Sequence, residues 1–411
     1  MTQTSARSRA LDLDAAAPLR ERRDLFLLPE GTVYLDGNSL GALPRSVPER
    51  ISKVVTEEWG RDLISSWNTA DWIGLPRRVG DRIAAILGLP ESSVWVSDST
   101  SVSLFKTMVA ACRLRPGRDV IVVERATFPT DGYIAASVAR MLDLELRWAD
   151  SDRVEESFDE RVALVCLTHV DFRTGAMFDA AAVTAAAHDV GALMLWDLCH
   201  TAGAVPVDLV AAGTDFAVGC SYKYLNAGPG SPAFMYVAPQ HQDSIDQPLS
   251  GWMGHARPFD MELGYEPVAG VGRLASGTPP VLALSALDAA LDAFEGVDPA
   301  ELRTRSLSLT DYFIELVDVR LPGVFEVVTP REHDRRGSQV SLRHPEAYGI
   351  VQALIARKVV GDFRTPDVAR FGFAPLYVTH EDVYDAVDHL VAVMEHQEYD
   401  RAEYTTRNVV T

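Results

Sequence analysis

Ala192-Leu193-Met194-Leu195-Trp196-Asp197-Leu198-Cys199-His200 is an apolar run that closes on a carboxylate. Unbroken hydrophobic runs of this kind belong to strands covered on both faces, and open α/β sheets bind ligands at the carboxyl ends of such strands. Asp197 therefore stands where a buried charge would meet a bound cation. The plainer reading is a turn former or helix cap after the strand. Further along, Gly219-Cys220-Ser221-Tyr222-Lys223-Tyr224-Leu225-Asn226-Ala227-Gly228-Pro229-Gly230 follows a second apolar run that ends in Ala217-Val218. Lys223 sits where that buried strand enters a glycine-rich loop.

Only four of the 38 Lys and Arg residues are lysines. A guanidinium cannot form a Schiff base, so a lysine retained at a strand end suggests covalent use, although a loop cation would look the same. An amine and a carboxylate at the ends of two successive strands meet the two demands of pyridoxal phosphate. Its aldehyde condenses with a lysine, and its protonated ring nitrogen pairs with an aspartate.

The 411 residues, 47% hydrophobic, are enough for two domains and an N-terminal arm. The expected division is 1–60 for the arm, 61–285 for a large cofactor-binding domain, and 286–411 for a linking helix and a small C-terminal domain. A net charge of −20 argues against nucleic acid and anionic membranes, which need clustered basic residues. Met1 to Arg23 lacks the apolar core of a signal peptide, and no apolar stretch approaches membrane-spanning length, so a cytoplasmic location is expected. Cys112, Cys166, Cys199 and Cys220 are scattered and read as small buried hydrophobes, with no metal site implied.

From residue 92 onward strands and helices alternate, which predicts a mostly parallel sheet with helical crossovers. Strands are expected at 94–96, 119–123 and 162–167, at the runs ending in Asp197 and Ser221, and at 233–237. Helices are expected at 101–113, after Pro129, and at 180–187. A long helical pattern from Val281 to about Leu321, broken near Gly296, would bridge two domains. Beyond it come two strands, a helix over 347–359, an extended segment near Arg370 and a helix over 381–398, the order of a small α+β unit.

Other segments carry chemistry less specifically. Ser97-Asp98-Ser99-Thr100-Ser101 joins a strand to a helix, where first-turn amides and hydroxyls suit a phosphate; plain N-capping explains it equally well. Phe128 in Phe128-Pro129-Thr130-Asp131 would stack on a flat ring or simply fill the core before a helix opened by Pro129. His200 fits a cofactor contact or a satisfied strand end, and Tyr222 beside Lys223 suits proton relay. Arg370, a cation inside an apolar run, fits a carboxylate clamp or a structural ion pair. Phosphate-loop, zinc-protease, CxxC and GxSxG motifs are missing, and the two GxGxxA matches do not open helices after strands.

Read in order, these segments resemble the kynureninases, pyridoxal-phosphate enzymes of the aspartate-aminotransferase fold group. The resemblance runs through nearly the whole chain: Tyr34-Leu35-Asp36-Gly37-Asn38-Ser39-Leu40-Gly41, Leu75-Pro76-Arg77-Arg78-Val79-Gly80-Asp81, Phe128 to Asp131, and Trp196 to His200. It continues through Ser221 to Asn226, Gly251-Trp252-Met253-Gly254-His255, Gly277-Thr278-Pro279-Pro280 and Arg370-Phe371-Gly372-Phe373-Ala374-Pro375-Leu376-Tyr377. It implies an α/β architecture of PLP-dependent transferase fold type I, with a mostly parallel seven-stranded sheet in the large domain and a small α+β C-terminal domain. It further implies a Schiff base on Lys223, Asp197 on the pyridine nitrogen and Phe128 on the ring. Ser99, Thr100 and Tyr222 would hold the phosphate, Asp131, Thr168 and His200 would line the cofactor, and Arg370 would hold the substrate carboxylate. Trp252 and Thr278 match positions that the family supplies from the neighbouring subunit, so a homodimer with shared sites is expected.

The implied reaction is hydrolytic Cβ–Cγ cleavage of L-kynurenine, or its 3-hydroxy derivative, to anthranilate (or 3-hydroxyanthranilate) and L-alanine, with Tyr222 as proton shuttle. Thr278 and the stretch from Trp67 to Trp72 are candidates to shape the aryl pocket. The product would feed tryptophan breakdown, NAD formation or secondary metabolism. The rivals are another class V enzyme such as a cysteine desulfurase or lyase, or a non-catalytic relative. Desulfurases need a nucleophilic cysteine in a C-terminal loop, and no cysteine follows Cys220.

Overall fold

The computed structural model describes residues 3–407; the outermost ends of the expected arm and C-terminal domain lie outside the described residues. The large sheet has seven strands: β1 (Val94–Val96), β2 (Val120–Glu124), β3 (Glu145–Ala149), β4 (Val162–Thr168), β5 (Leu193–Asp197), β6 (Phe216–Gly219) and β7 (Phe234–Val237). Their spatial order is β1-β7-β6-β5-β4-β2-β3. Neighbours from β6 to β3 pair parallel, while β7 is antiparallel to both β6 and β1. No helix separates β6 from β7, and without a crossover the chain returns antiparallel.

Along β5 the side chains alternate between two cores. Met194 and Trp196 join the one shared with the C-terminal domain, and Leu193 and Leu195 join the one under α1 (Thr100–Arg113) and α2 (Pro129–Leu142). This two-sided burial is why the run reads as continuously apolar. Edge strand β3 was not anticipated from sequence. It is largely uncovered and carries Glu145 and Arg147, so it lacks that signature.

The helical pattern after Pro280 resolves into Val281–Ala290, a tight turn over Leu291–Phe294, and α3 (Pro299–Arg320), with Gly296 at φ +68° in the break. Asp298 caps α3 through the Ala300 amide. The C-terminal unit is a four-stranded antiparallel sheet, ordered β8-β9-β11-β10, of β8 (Glu326–Val327), β9 (Gln339–Arg343), β10 (Asp362–Arg364) and β11 (Val368–Gly372). Helices α4 (Ala347–Ala356) and α5 (His380–Glu395) complete it, α5 opening with a Thr379–Asp382 capping box.

The N-terminal segment ties the two regions together. Its first helix, Gln3–Ala16, packs on α5 with Ala6 and Ala10 buried, and Asp14 accepts from the His380 and Glu381 amides. Val33–Tyr34 then pairs parallel with Val359–Val360. Beyond that pairing, the Gly41 amide donates to the Tyr222 carbonyl at 2.7 Å, next to Lys223.

Candidate active site

The carboxyl ends of β1, β2, β4, β5 and β6 open on one edge of the large sheet, and the segments leaving them line a cavity of about 640 Å³. From β1 come Asp98, Ser99 and Thr100; from β2 come Phe128 and Asp131; from β4, Thr168; from β5, Asp197 and His200; from β6, Tyr222 and Lys223. Arg364 and Arg370, from the β10–β11 hairpin, close the far side. A second cavity, about 480 Å³, is mostly apolar; its Arg82 is paired with Asp288 and Asp292, and it holds no lysine.

Lys223 Nζ lies 2.9 Å from His200 Nε2. Burial first, then the charges of Lys223, Arg370 and Arg364, hold the His200 imidazole well below its ordinary range, so it is neutral and its Nε2 can accept a hydrogen bond from Lys223 Nζ. Asp197 is 3% exposed, and its Oδ1 accepts the Cys199 amide at 2.7 Å. Asp131, equally buried, is pushed well above the usual carboxylate range, by burial first and then by the charge and hydrogen bond of Asp197. Asp131 therefore keeps its proton, and Thr127 and Thr168 donate to its other side.

At the opposite wall, Ser99 caps α1 by accepting from the Val102 amide. The capping reading of this segment thus holds, and the first-turn amides that any helix start leaves unpaired face the same cavity. Phe128 is 43% exposed and sets its edge against Phe172 at 5.2 Å, which leaves a ring face open to the cavity. The Tyr222 phenol is raised, chiefly by burial, and stays protonated.

Arg370 is 1% exposed and takes up the ion-pair reading made for it. Its Nε donates to Asp362 Oδ1 at 2.7 Å, its Nη2 to Asp362 Oδ2 and to Ser39 Oγ at 2.7 Å, and its Nη1 to the Phe172 carbonyl. It is a buried ion pair that also lines the cavity. Thr278 lies on the rim of its own chain's cavity, whereas Trp252 is not in the lining and sits edge-on to Phe259 at 5.7 Å. Trp67 and Trp72 pack against each other, and Trp72 donates to Glu58, away from the lining.

The residues fit pyridoxal phosphate. Buried Asp197 and protonated Asp131 have no ion-pair partner among the described residues, Lys223 lines the same cavity, and a helix start supplies anion-binding amides. Sequence reading did not single out Asn38, Ser39, Phe172 and Arg364 in the lining. Arg364 had a usable signal, since it alternates with Asp362 just ahead of the Arg370 strand.

The family described as "Kynureninase C-terminal domain" matches residues 302–390. A kynureninase of Pseudomonas fluorescens is 49% identical, covering 99% of this chain and 100% of its own. One of Deinococcus radiodurans is 53% identical over 94% of this chain and 96% of its own. Among solved structures, the cysteine desulfurase CsdA from Escherichia coli superposes with a TM-score of 0.76 at 21% identity, covering 92% of this chain and 99% of that one. C-DES with glycine covalently linked to its PLP cofactor gives a TM-score of 0.78 at 17% identity, covering 90% and 98%. At such identities these two describe the fold alone.

Proposed function

The chain belongs to the kynureninase family, and we propose that its strand-end cavity hydrolyses L-kynurenine at the Cβ–Cγ bond, giving anthranilate and L-alanine. One observation carries the residue roles: the Lys223 amine and the Asp197 carboxylate enter one cavity from adjacent parallel strands, with a helix start at the same edge. The desulfurase rival lacks its C-terminal loop nucleophile, because no cysteine follows Cys220.

Pyridoxal phosphate, when bound, supplies an aldehyde for amines and a ring that accepts an electron pair from the substrate α-carbon. Lys223 would be the amine that holds the cofactor and the base that takes the substrate α-proton. Neutral His200 accepts from Lys223 and orients it. Asp197, with protonated Asp131 beside it, supplies the negative charge for the ring nitrogen, and Phe128 covers a ring face. Ser99, Thr100 and the α1 amides hold the phosphate. Arg370 receives the substrate carboxylate. Water adds to the γ-carbonyl, and Tyr222, protonated, would donate to the β-carbon as the Cβ–Cγ bond breaks, the acyl side leaving as anthranilate.

A homodimer fits the surface. Phe259, Met261, Leu263 and Tyr265 expose apolar side chains in the segment after Trp252, a patch that a second copy would cover while bringing Trp252 to its partner's cavity. A cytoplasmic location accords with four free cysteines, and no helix among the described residues is long and apolar enough to cross a membrane. A role in tryptophan breakdown or NAD formation would follow from the product.

Borohydride treatment of the cofactor-saturated protein tests the assignment. A pyridoxyl group on the peptide holding Lys223, lost in Lys223→Ala, is expected; labelling of Lys106 or of no lysine overturns it.

A further inference from the structure

The substrate carboxylate needs two donors side by side, and Arg370 does not have two to give. Of the five N–H groups of a guanidinium, four of Arg370's are taken by Asp362, Ser39 and the Phe172 carbonyl, leaving one on Nη1. Arg364 lies on the same wall. Its Nη1 donates to the Phe363 carbonyl at 3.0 Å and its Nη2 meets Asp362 Oδ2 at 2.8 Å and Ser39 Oγ at 3.3 Å. Among the described residues its Nε donates to nothing, and its side chain is 30% exposed, toward the cavity it lines.

The charges at this wall are unbalanced. Two guanidiniums share Asp362, which the charge and hydrogen bonds of Arg370 and then Arg364 hold low against the effect of burial. The other carboxyl nearby, Asp36, is pushed up to about 7, by burial and then by Asp362, so at neutral pH it is only part-ionised and offsets only part of the second positive charge. Burial and the like charge of Arg370 lower Arg364 in turn, a penalty that an anion bridging the two would relieve.

We infer that Arg364 is a second binding residue for the α-carboxylate of the amino-acid substrate, completing with Arg370 a two-guanidinium clamp in which each gives one N–H. The inference rests on the cavity being the kynurenine site, and it adds to that reading the residue that sets the preference for a free carboxylate over an amide.

The test uses holoenzyme. Arg364→Met is expected to raise KM for L-kynurenine about tenfold or more, the loss of a charge-assisted contact, with kcat within about threefold. L-alanine, titrated by the change in cofactor absorbance, is expected to bind more weakly by a similar factor, while L-alaninamide, which lacks the carboxylate, keeps its affinity. Arg364→Lys should recover part of the L-alanine affinity, and it stands in if the Met variant does not fold. Equal losses for alanine and alaninamide, or no loss for either, would overturn the inference and leave Arg364 a structural partner of Asp362. A wild-type protein that binds L-alanine without turning over L-kynurenine would instead defeat the reaction reading, while the alanine-to-alaninamide ratio still judges Arg364.

Discussion

Substituting Asp36 should have opposite effects depending on whether Asp362 is present. Asp362 is 1% exposed as a residue, and it neutralises an Arg370 that is equally buried. Removing one partner of such a pair leaves an uncompensated buried charge and typically costs about 3–5 kcal/mol. In Asp362→Asn that cost is reduced from within, because Asp36 stands against the same cluster. Its carboxyl lies at about 7 through burial and the repulsion of Asp362, opposed by Arg370. Without Asp362 the repulsion ends and the attraction stays, so Asp36 ionises at neutral pH and becomes the counter-charge.

Asp36→Asn is therefore destabilising in the Asp362→Asn background, by about 1–2 kcal/mol as a coupling between contacting groups. In the wild-type background the sign reverses. A carboxyl raised from 3.8 to about 7 binds its proton more tightly in the folded state, so the protein loses stability as pH rises through that window. Asp36→Asn abolishes that loss and should match or exceed wild type at about pH 7.5. Urea unfolding followed by tryptophan fluorescence, with midpoints compared at unchanged slope, reads all four corners of the cycle. If Asp36→Asn destabilises both backgrounds alike, the reasoning about the cluster's charge is wrong.

Three further outcomes are expected. Asp14 is held below its ordinary 3.8 by His380 and the His380 and Glu381 amides, which outweigh its burial, so its contribution is present above 3.8 and lost as pH falls through the lower folded value. Asp14→Ala should cost about 0.5–2 kcal/mol near neutral pH, and the deficit in thermal midpoint should close in strong acid. A Cβ on Gly41 would stand 2.3 Å from the Lys223 carbonyl and 2.6 Å from the Asn226 Cα, so Gly41→Ala should displace the lysine loop. Reduced cofactor per chain, read by absorbance, is the expected result, and full loading would count against that close approach. Tyr222→Phe should keep cofactor binding and slow turnover; an unaffected rate retires its role as proton donor.

Legibility in the sequence followed covering. Strands β4 and β5 are buried on both faces and read directly from the sequence; Asp197, read at a strand end, and Thr168, named from the resemblance, both line the cavity. The edge strand β3 was not read, because a strand with one neighbour and charged side chains has no apolar signature. In the site, residues at strand ends were legible because one sheet edge collects them. Ser39 and Phe172 were not, since they reach the cavity only where the N-terminal segment and the loop after β4 meet the C-terminal sheet, and nothing in local spacing encodes that meeting.

The two ends of the cavity differ in the charge they leave unsatisfied, and this links stability to use. At the sheet edge Asp131 keeps its proton beside Asp197, with no ion pair to either among the described residues, while at the β10–β11 hairpin two guanidiniums share one carboxylate held low. Buried charge left in this way is costly to the fold. It is offset only by a ligand carrying the complementary pattern, a protonated ring at one end and a carboxylate at the other. Lys223 and His200, 2.9 Å apart, line the same cavity, and the hairpin guanidiniums reach them, since Arg370 and Arg364 add to the burial that lowers His200. The same arrangement disfavours a ligand without a carboxylate, because it would leave the two hairpin guanidiniums with Asp362 as their one shared counter-charge.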